Sequence, residues 1–437
     1  MPLCNFDQYP SFALVNACVV TCDGEGDSPR DRLGIIAPGV VLVQGEKVGC
    51  VGKVSDFSFD GSIQTIDVQG RLVTPGLVDP HTHLVFAGSR MDEFQAKMRG
   101  VDYRKIGQEG GGIMRTVRAT RGSDEIALLK RLESRLARML RRGVTLVEVK
   151  SGYGLNIGEE MRLLRLGKSV SEKVLDGNEV GVKQLPRTTT TLLGAHAIPQ
   201  EYAGNREEYV NLVLKMVDLV SGHENGMRLA EACDVYIESH AFSVGEAKRI
   251  LESAKKRGLL VRAHVGQFED IGGAEMVAEM GGISCDHLEH VSDKALGAMA
   301  AAGTRAVLLP GAWRTLRQQA PDAQRMQRMG VEVAVGTDAN PGTSPCFDLL
   351  VALGLAVRDA GLDPEAALLA ITREAAEACG AQQAGRIRAG WRADLAIWDE
   401  VDPLVFGYAL GGLEPRAVII AGKWVLEHDG DWSLIFQ

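Results

Sequence analysis

Five of the nine histidines in this chain of 437 residues stand at or just beyond the ends of short apolar runs. They are His81 and His83 in LVDPHTH, His196 in TTTTLLGAH, His264 in LLVRAHVG and His287 in GISCDHLEH. A lone histidine at a strand end is more often a hydrogen-bonded structural residue; five gathered at such ends are harder to explain that way. His81 and His83 are two apart, and residues i and i+2 of a strand face the same side, so both imidazoles can reach one ion. With the distant His264 and the acid Asp338 in VGTDAN they make three neutral imidazoles and one carboxylate, a donor set that suits Zn(II) or Fe(II). A bound ion of this kind lowers the pKa of water to around 7, so the expected chemistry is hydrolysis. Ser344 in PGTSPC lacks the strand, GxSxG turn and helix of a serine nucleophile.

Side chains so far apart in sequence need a frame that brings strand ends together. From about Thr74 to Ala384 amphipathic helices alternate with short apolar runs, the pattern of parallel βα units. In one unit Ser123 is the expected N-cap, DEIALLKRLESRLARMLRR the helix, Gly143 its end and TLVEV the buried strand. In another, Ser243 and Glu246 form a capping-box pair before AKRILESAKKR, Gly258 closes the helix and LLVRAHV follows. Eight strand candidates can be counted: LVDPHTH, TLVEVKSG, TTTTLLGAH, DVYIESHAF, LLVRAHVG, GISCDHLEH, RAVLLPG and VEVAVGTDAN. Eight closes a (β/α)8 TIM-like barrel, whose active sites lie at the C-terminal ends of its strands. A doubly wound open sheet ranks behind it, because no Gly-rich phosphate fingerprint follows the first strand. Residues 1–73 and 385–437 are written instead as short strands and turns, which predicts one composite β-sandwich domain packed beside a barrel over 74–384.

Composition narrows the function classes. The net charge of −9 argues against a nucleic-acid partner, which would draw on clustered Lys and Arg. The basic run from Arg135 to Arg142 is expected to be a solvated helix face. The eight cysteines show neither a disulfide framework nor a zinc-knuckle spacing and are expected to be reduced, mostly buried thiols. The start MPLCNFDQYPSFALVNACVV has no basic n-region, and no window is apolar enough to span a bilayer, so a cytoplasmic location without membrane association is expected.

The stretches LVTPGLVDPHTHLVFAGSRMDEF, GGGIMRTVRATR, VEVKSGYGL, LLGAHAIP, CDHLEHVS and VGTDANPGTSP resemble the imidazolonepropionase family, in order and across essentially the whole barrel. GRIRAGWRADLAIWD is similar to the return of amidohydrolases to their β domain. HTH with GTDAN is shared across the superfamily, whereas KSGYGL, GAHAIP and DANPGTSP are much narrower. The resemblance implies hydrolysis of 4-imidazolone-5-propanoate at its ring amide, giving N-formimino-L-glutamate in histidine degradation. It implies one divalent ion held by His81, His83, His264 and Asp338, with Lys150 in VEVKSGYG not bridging a second one. His287 matches the position that hydrogen-bonds near the attacked carbonyl, and Asp338 would also take the proton of the attacking water and pass it to the leaving nitrogen. Arg90, Tyr103, Tyr153, His196, Gln267, Asn340, Gly342 and Thr343 are the substrate contacts it implies. Arg90 offers a planar fork for the propionate carboxylate; its bland alternative is a surface ion pair with Asp92 or Glu93. His223, His240 and His290 are expected to be outside the ligand set, and a homodimer is implied by resemblance alone.

One stretch departs from the family. After the fifth-strand histidine an acidic residue is usual two or three positions on, as in HAD or HAE followed by Gln or Glu, whereas this chain has His264-Val265-Gly266-Gln267. Gln267, given a catalytic as well as a binding place, can hydrogen-bond but cannot take a proton. That leaves a second enzymatic reading, a paralogue acting on a substituted imidazolone or hydantoin-like propionate. A reading of another class, a non-catalytic binding or scaffold barrel, would be expected to have lost metal ligands, and all four candidates are present.

Overall fold

The computed structural model describes residues 11–59, 61, 63–101, 110–175, 182–224 and 227–428. Eight parallel strands follow one another in space in chain order: Leu77–Asp79, Val144–Lys150, Arg187–Ala195, Ala232–Ile237, Leu260–Val265, Ser284–His287, Arg305–Leu308 and Val333–Val335. Each of the eight runs expected from the sequence overlaps one of them, three of the strands beginning one or two residues earlier. The last strand meets the first through a parallel bridge between Thr82 and Ala339, which closes the barrel just beyond the strand ends.

Local sequence accounts for the helices between strands. Glu125–Leu140 buries Leu128, Leu132, Leu136, Met139 and Leu140, spaced so as to form one stripe against the barrel. Its N-cap is Asp124, one residue later than expected: the carboxylate accepts from Ala127 N at 2.8 Å, while Ser123 Oγ donates instead to Ala119 O. An ionised acceptor at a helix N-terminus complements the helix dipole, which a serine cannot do as well. Val244–Lys256 opens with the expected capping box of Ser243 and Glu246.

The basic run is less solvated than its composition suggested. Arg135 is half-buried, its guanidinium 3.5 Å above the Phe86 ring and donating to the carbonyls of Leu84 and Phe86, and Arg142 pairs with Asp348 at 3.0 Å. A long side chain reaches across to main-chain carbonyls beyond the first strand, so Arg135 fastens that segment to its helix. Seven cysteines lie among the described residues, all free and five of them buried. No helix among the described residues is long and apolar enough to cross a membrane.

The terminal segments build a separate eight-stranded sheet. Ser11–Val20, Ile35–Gln44, Lys47–Lys53, Gln64–Asp67 and Leu72–Pro75 come from one end of the chain, and Leu395–Trp398, Pro415–Ile420 and Lys423–Glu427 from the other. Ser11–Val20 is bulged around Ala17, pairing Gln64–Asp67 before the bulge and Leu72–Pro75 after it. The bend folds the sheet over a shared apolar cluster that includes Leu14, Val41, Val73, Leu395 and Ile419. Gly76 alone separates Leu72–Pro75 in this sheet from Leu77–Asp79 in the barrel.

Candidate active site

Strand alternation determines what the barrel interior contains. Residues two apart on one strand point inward together: Glu148 and Lys150, Asp234 and Tyr236, Arg262 and His264, Ser284 and Asp286. The charged members of this set are buried and pair with one another. Lys150 Nζ lies 2.8 Å from Asp234, 3.0 Å from Glu148 and 3.7 Å from Asp286, and Arg262 pairs with Asp286 at 3.0 Å and Glu148 at 3.4 Å. Lys150 is therefore an ammonium tied among carboxylates, and its pKa is raised because Asp234, Glu148 and Asp286 outweigh burial and the Arg262 charge.

Two of these carboxylates hold histidines above them. Asp286 Oδ2 is 2.6 Å from His81 Nδ1, and Asp234 Oδ1 is 2.9 Å from His264 Nδ1. A carboxylate only accepts, so each Nδ1 carries the proton and each Nε2 is left with its lone pair. Burial, then the Lys150 charge, holds His81 far below the usual imidazole range; burial also lowers His264, although Asp234 opposes it. Both shifts favour the neutral ring, the form that ligates a metal.

The Nε2 atoms converge. His81 and His83 are 3.3 Å apart, His83 and His264 3.4 Å, and Asp338 Oδ1 is 3.3 Å from His83 and 3.6 Å from His81. Zinc–ligand bonds of about 2.0–2.1 Å in a tetrahedron put ligand atoms about 3.3–3.4 Å apart, so the spacing fits one small divalent ion. Charge agrees. Buried carboxylates (Glu148, Asp234, Asp286, Asp338) outnumber buried cations (Lys150, Arg262) around the histidines, a negative site that suits a cation. Burial pushes nearby Asp79 up to about 7, so it adds at most part of a charge. Among the described residues, His81, His83 and His264 are the group of three ligand-type side chains whose donor atoms lie within 4.8 Å of one another.

Asp338 follows the eighth strand at φ 51°, its N–H bonded to His81 O at 2.9 Å. Burial alone would raise its carboxyl, but the hydrogen bond and charge of His83, with His287 and His264 behind it, keep it below its ordinary value. His287, at φ 84°, places Nδ1 3.4 Å from Glu289. Burial would lower its pKa, and Glu289 overcomes this and raises it.

Most of the other expected site residues line a cavity over the histidines. Tyr153 and His196 line it together: four contacts from Gly152, Gly154 and Leu155 N–H groups to the buried Glu160 carboxylate wrap the SGYGL loop, and Gly152 O takes His196 Nδ1–H at 2.9 Å. That bond leaves His196 Nε2 as an acceptor for the cavity. Arg90 also lines it, buried rather than on the surface; its Nε bonds Glu93 at 2.7 Å, while Asp92 pairs with Arg115. A Cβ on Gly342 would lie 2.0 Å from Arg90 Nη1, so the glycine makes room for the guanidinium. Asn340 and Thr343 are at the rim, where the Asn340 amide oxygen accepts from Gly342 N and Thr343 N at 2.8 Å each and braces the loop. Gln267 lies beside His264 and His287. Tyr103 lies outside the described residues. His240 and His290 are exposed and stand outside the histidine group.

Sequence reasoning missed the supports. Asp234, Arg262 and Asp286 were visible as charges inside buried strands, in CDVYI, LVRAHV and SCDH, a placement that requires buried partners. Tyr236, which also lines the cavity, passed as an ordinary β residue.

A closed parallel barrel with this donor set at its strand ends is the architecture of metal-dependent amidohydrolases, and the chain belongs to that family: its sequence model matches residues 72–425. Within it, the chain is similar to imidazolonepropionase of Chromobacterium violaceum, 44% identical over 81% of this chain and 83% of that one. It is likewise similar to imidazolonepropionase of Paracoccus denitrificans, 40% identical over 94% and 99%. Solved structures share the fold at low identity: a 5-methylcytosine deaminase from Klebsiella pneumoniae (TM-score 0.72, 15% identical, 96% of this chain and 98% of that one) and an adenosine deaminase from Xanthomonas campestris with bound zinc (TM-score 0.66, 20% identical, 98% and 94%).

Proposed function

We propose that this chain hydrolyses the ring amide of 4-imidazolone-5-propanoate to N-formimino-L-glutamate, as a step of histidine degradation. The observation that carries the reading is a single cavity with a converging His81, His83, His264 and Asp338 set in one wall and the buried Arg90 fork in another. Similarity to imidazolonepropionases over most of the chain supports the same substrate.

The reaction adds water across the ring C–N bond: oxygen joins the carbonyl carbon, and a proton goes to the departing nitrogen. An ion held by His81, His83, His264 and Asp338, zinc or ferrous iron by donor chemistry, would acidify water and polarise the carbonyl. Asp338 turns Oδ1 toward the imidazoles and has Oδ2 3.4 Å from Thr343 Oγ1. It accepts the water proton and returns it to the leaving nitrogen. His287, whose pKa Glu289 raises against burial, is placed to donate to the carbonyl oxygen as negative charge grows there. Arg90 takes the propionate carboxylate, and Tyr153 and His196 fill the side of the cavity between. A cytoplasmic homodimer belongs to the same reading and is checked by light scattering of the purified protein.

The test is turnover of freshly generated imidazolone propionate, followed by loss of its ultraviolet absorbance, with zinc- and iron-loaded protein side by side. A kcat/KM of about 10⁴ M⁻¹s⁻¹ or more is expected. Feeble turnover by metal-replete protein would refute the substrate, and His264→Ala protein that kept its ion and activity would refute the site.

A further inference from the structure

A buried lysine stands behind the residues expected to meet the carboxylate of the substrate. In the helix Met91–Met98, Glu93 and Lys97 are four residues apart and so share one face, and both are buried. A buried ammonium needs acceptors. Lys97 Nζ donates to Gly342 O at 2.7 Å.

Gly342 joins this lysine to Arg90. The guanidinium fills the place of its missing side chain, since a Cβ there would lie 2.0 Å from Arg90 Nη1, and its carbonyl takes the Lys97 ammonium. Its N–H is held by Asn340 Oδ1 at 2.8 Å, and Asn340 and Thr343 on either side line the cavity. One peptide unit is thus flanked by two cations, and the loop over 340–343 is fastened to the helix that Arg90 opens.

Charge points the same way. Glu93 accepts from Arg90 Nε at 2.7 Å and from Gly112 N at 3.1 Å, so an anion arriving at Arg90 meets a carboxylate already set against it. Lys97 returns positive charge to this end of the cavity. Burial, then the Arg90 charge, lowers its pKa to about 8, and Glu93 opposes them. Arg115 lies 3.7 Å beyond, against Glu93, but is exposed and bonded to Asp92; the loop over 340–343 carries no titratable side chain.

We propose that Lys97 is a positioning residue for the carboxylate end of the substrate, clamping the Gly342 peptide against Arg90 and adding a second positive charge behind the guanidinium. This rests on the cavity being the substrate site of the proposed hydrolase, with Arg90 at its carboxylate end. Lys97 acts through Gly342 and Arg90, away from the ion and the attacked bond, so its effect falls on affinity for the anionic ligand.

The experiment measures dissociation constants of imidazole-4-propanoate and its neutral amide calorimetrically, with metal-loaded parent, Lys97→Met and Lys97→Arg proteins matched in melting temperature and metal content. The two ligands share a ring with no amide to hydrolyse, so ring ionisation and any contact with the ion largely cancel in the ratio of their affinities. The parent should prefer the acid about tenfold or more at pH 7. Lys97→Met should lose at least about fivefold of that preference, and Lys97→Arg, which keeps the charge, most of it should retain. A lysine is charged below its pKa, so the parent's preference should fall as pH rises past about 8, whereas both variants should hold theirs between pH 7 and 9. On imidazolone propionate, Lys97→Met should raise KM and leave kcat within about twofold. Equal weakening of acid and amide in Lys97→Met marks a merely structural lysine and overturns the proposal. So does a parent that does not prefer the acid, or one whose preference is the same at pH 7 and 9, a result that needs no variant. If the parent fails to turn over imidazolone propionate, the functional reading fails separately, and the binding ratios still judge Lys97.

Discussion

Replacing Asp234 by alanine should weaken metal binding more than its distance from the ion would suggest. Asp234 is fully buried, accepts from His264 Nδ1 at 2.9 Å and His264 N at 3.2 Å, and holds Lys150 at 2.8 Å. Removing it frees the His264 ring to turn and to place its proton on either nitrogen. Supports of this type are worth about 10–100-fold in metal affinity, or about 1.4–2.8 kcal/mol. The buried Lys150 ammonium loses one of three partners. Breaking a buried pair costs about 3–5 kcal/mol, and with Glu148 at 3.0 Å and Asp286 at 3.7 Å remaining, the lower end, about 3 kcal/mol, applies. Affinity is read by competition with a chromophoric chelator and stability by urea unfolding. Asp234→Leu combined with Lys150→Met separates the two effects: removing both charges should recover much of the stability while the affinity loss remains. An Asp234→Ala protein that binds its ion within threefold of the parent would refute the argument that second-layer carboxylates hold the ligands.

Other expectations concern single positions and the ion itself. Gly342→Ala should raise KM tenfold or more with a smaller effect on kcat, because its Cβ occupies the place of Arg90 Nη1; steady-state kinetics decide. Gly266→Ala meets His290 O at 2.1 Å and moves the loop from His287 to His290, so kcat should fall about 100-fold while elemental analysis finds the metal unchanged. The Arg206 hydrogen bond holds the Glu246 carboxyl down to about 2. The stability this provides is present above its unfolded pKa and is lost as pH falls through about 4.5 toward 2. Glu246→Gln should thus cost under about 1 kcal/mol at pH 7, allowing for solvent screening, with the deficit shrinking in urea titrations at lower pH. Removing the ion with a chelator should lower stability by about 2.7 kcal/mol relative to protein in ion at 100 times its dissociation constant, checked by thermal unfolding.

What could be read in the sequence was whatever repeats a period or sits at a strand end. The eight barrel strands were legible because each is an apolar run closed by turn or helix signals, and His81 and His83 because two-residue spacing has one meaning on a strand. Asp234 and Asp286 were not read as supports, since nothing local says which distant carboxylate a histidine will meet; pairing strands at residues 232–237, 260–265 and 284–287 brings them together. The reach of Arg135 to the carbonyls of Leu84 and Phe86 was hidden for the same reason, because composition reports charge and not how far a side chain extends. Gly266 was legible only as a missing acid. Its positive φ and its contact with His290 show that the departure includes a backbone turn into which no side chain fits.

The seam of the barrel and the site are built from the same residues. The first strand stops at Asp79 and the eighth at Val335, and neither pairs with the other along its length. Closure comes from the segments after them: Thr337 N and Oγ1 bond Asp79 at 3.1 and 2.6 Å, Asp338 N bonds His81 O at 2.9 Å, and His83 N bonds Ala339 O at 3.1 Å. His81 and His83 stand on one side of this seam and Asp338 on the other. An ion shared among them would therefore link the first strand to the last, and His264, held by Asp234 from the fourth strand, would tie that seam to the middle of the barrel. Binding free energy at the site would then also be closure free energy for the fold. The fully buried cluster of Lys150, Arg262 and their carboxylates lies where it keeps both ends of this linkage in register before an ion arrives.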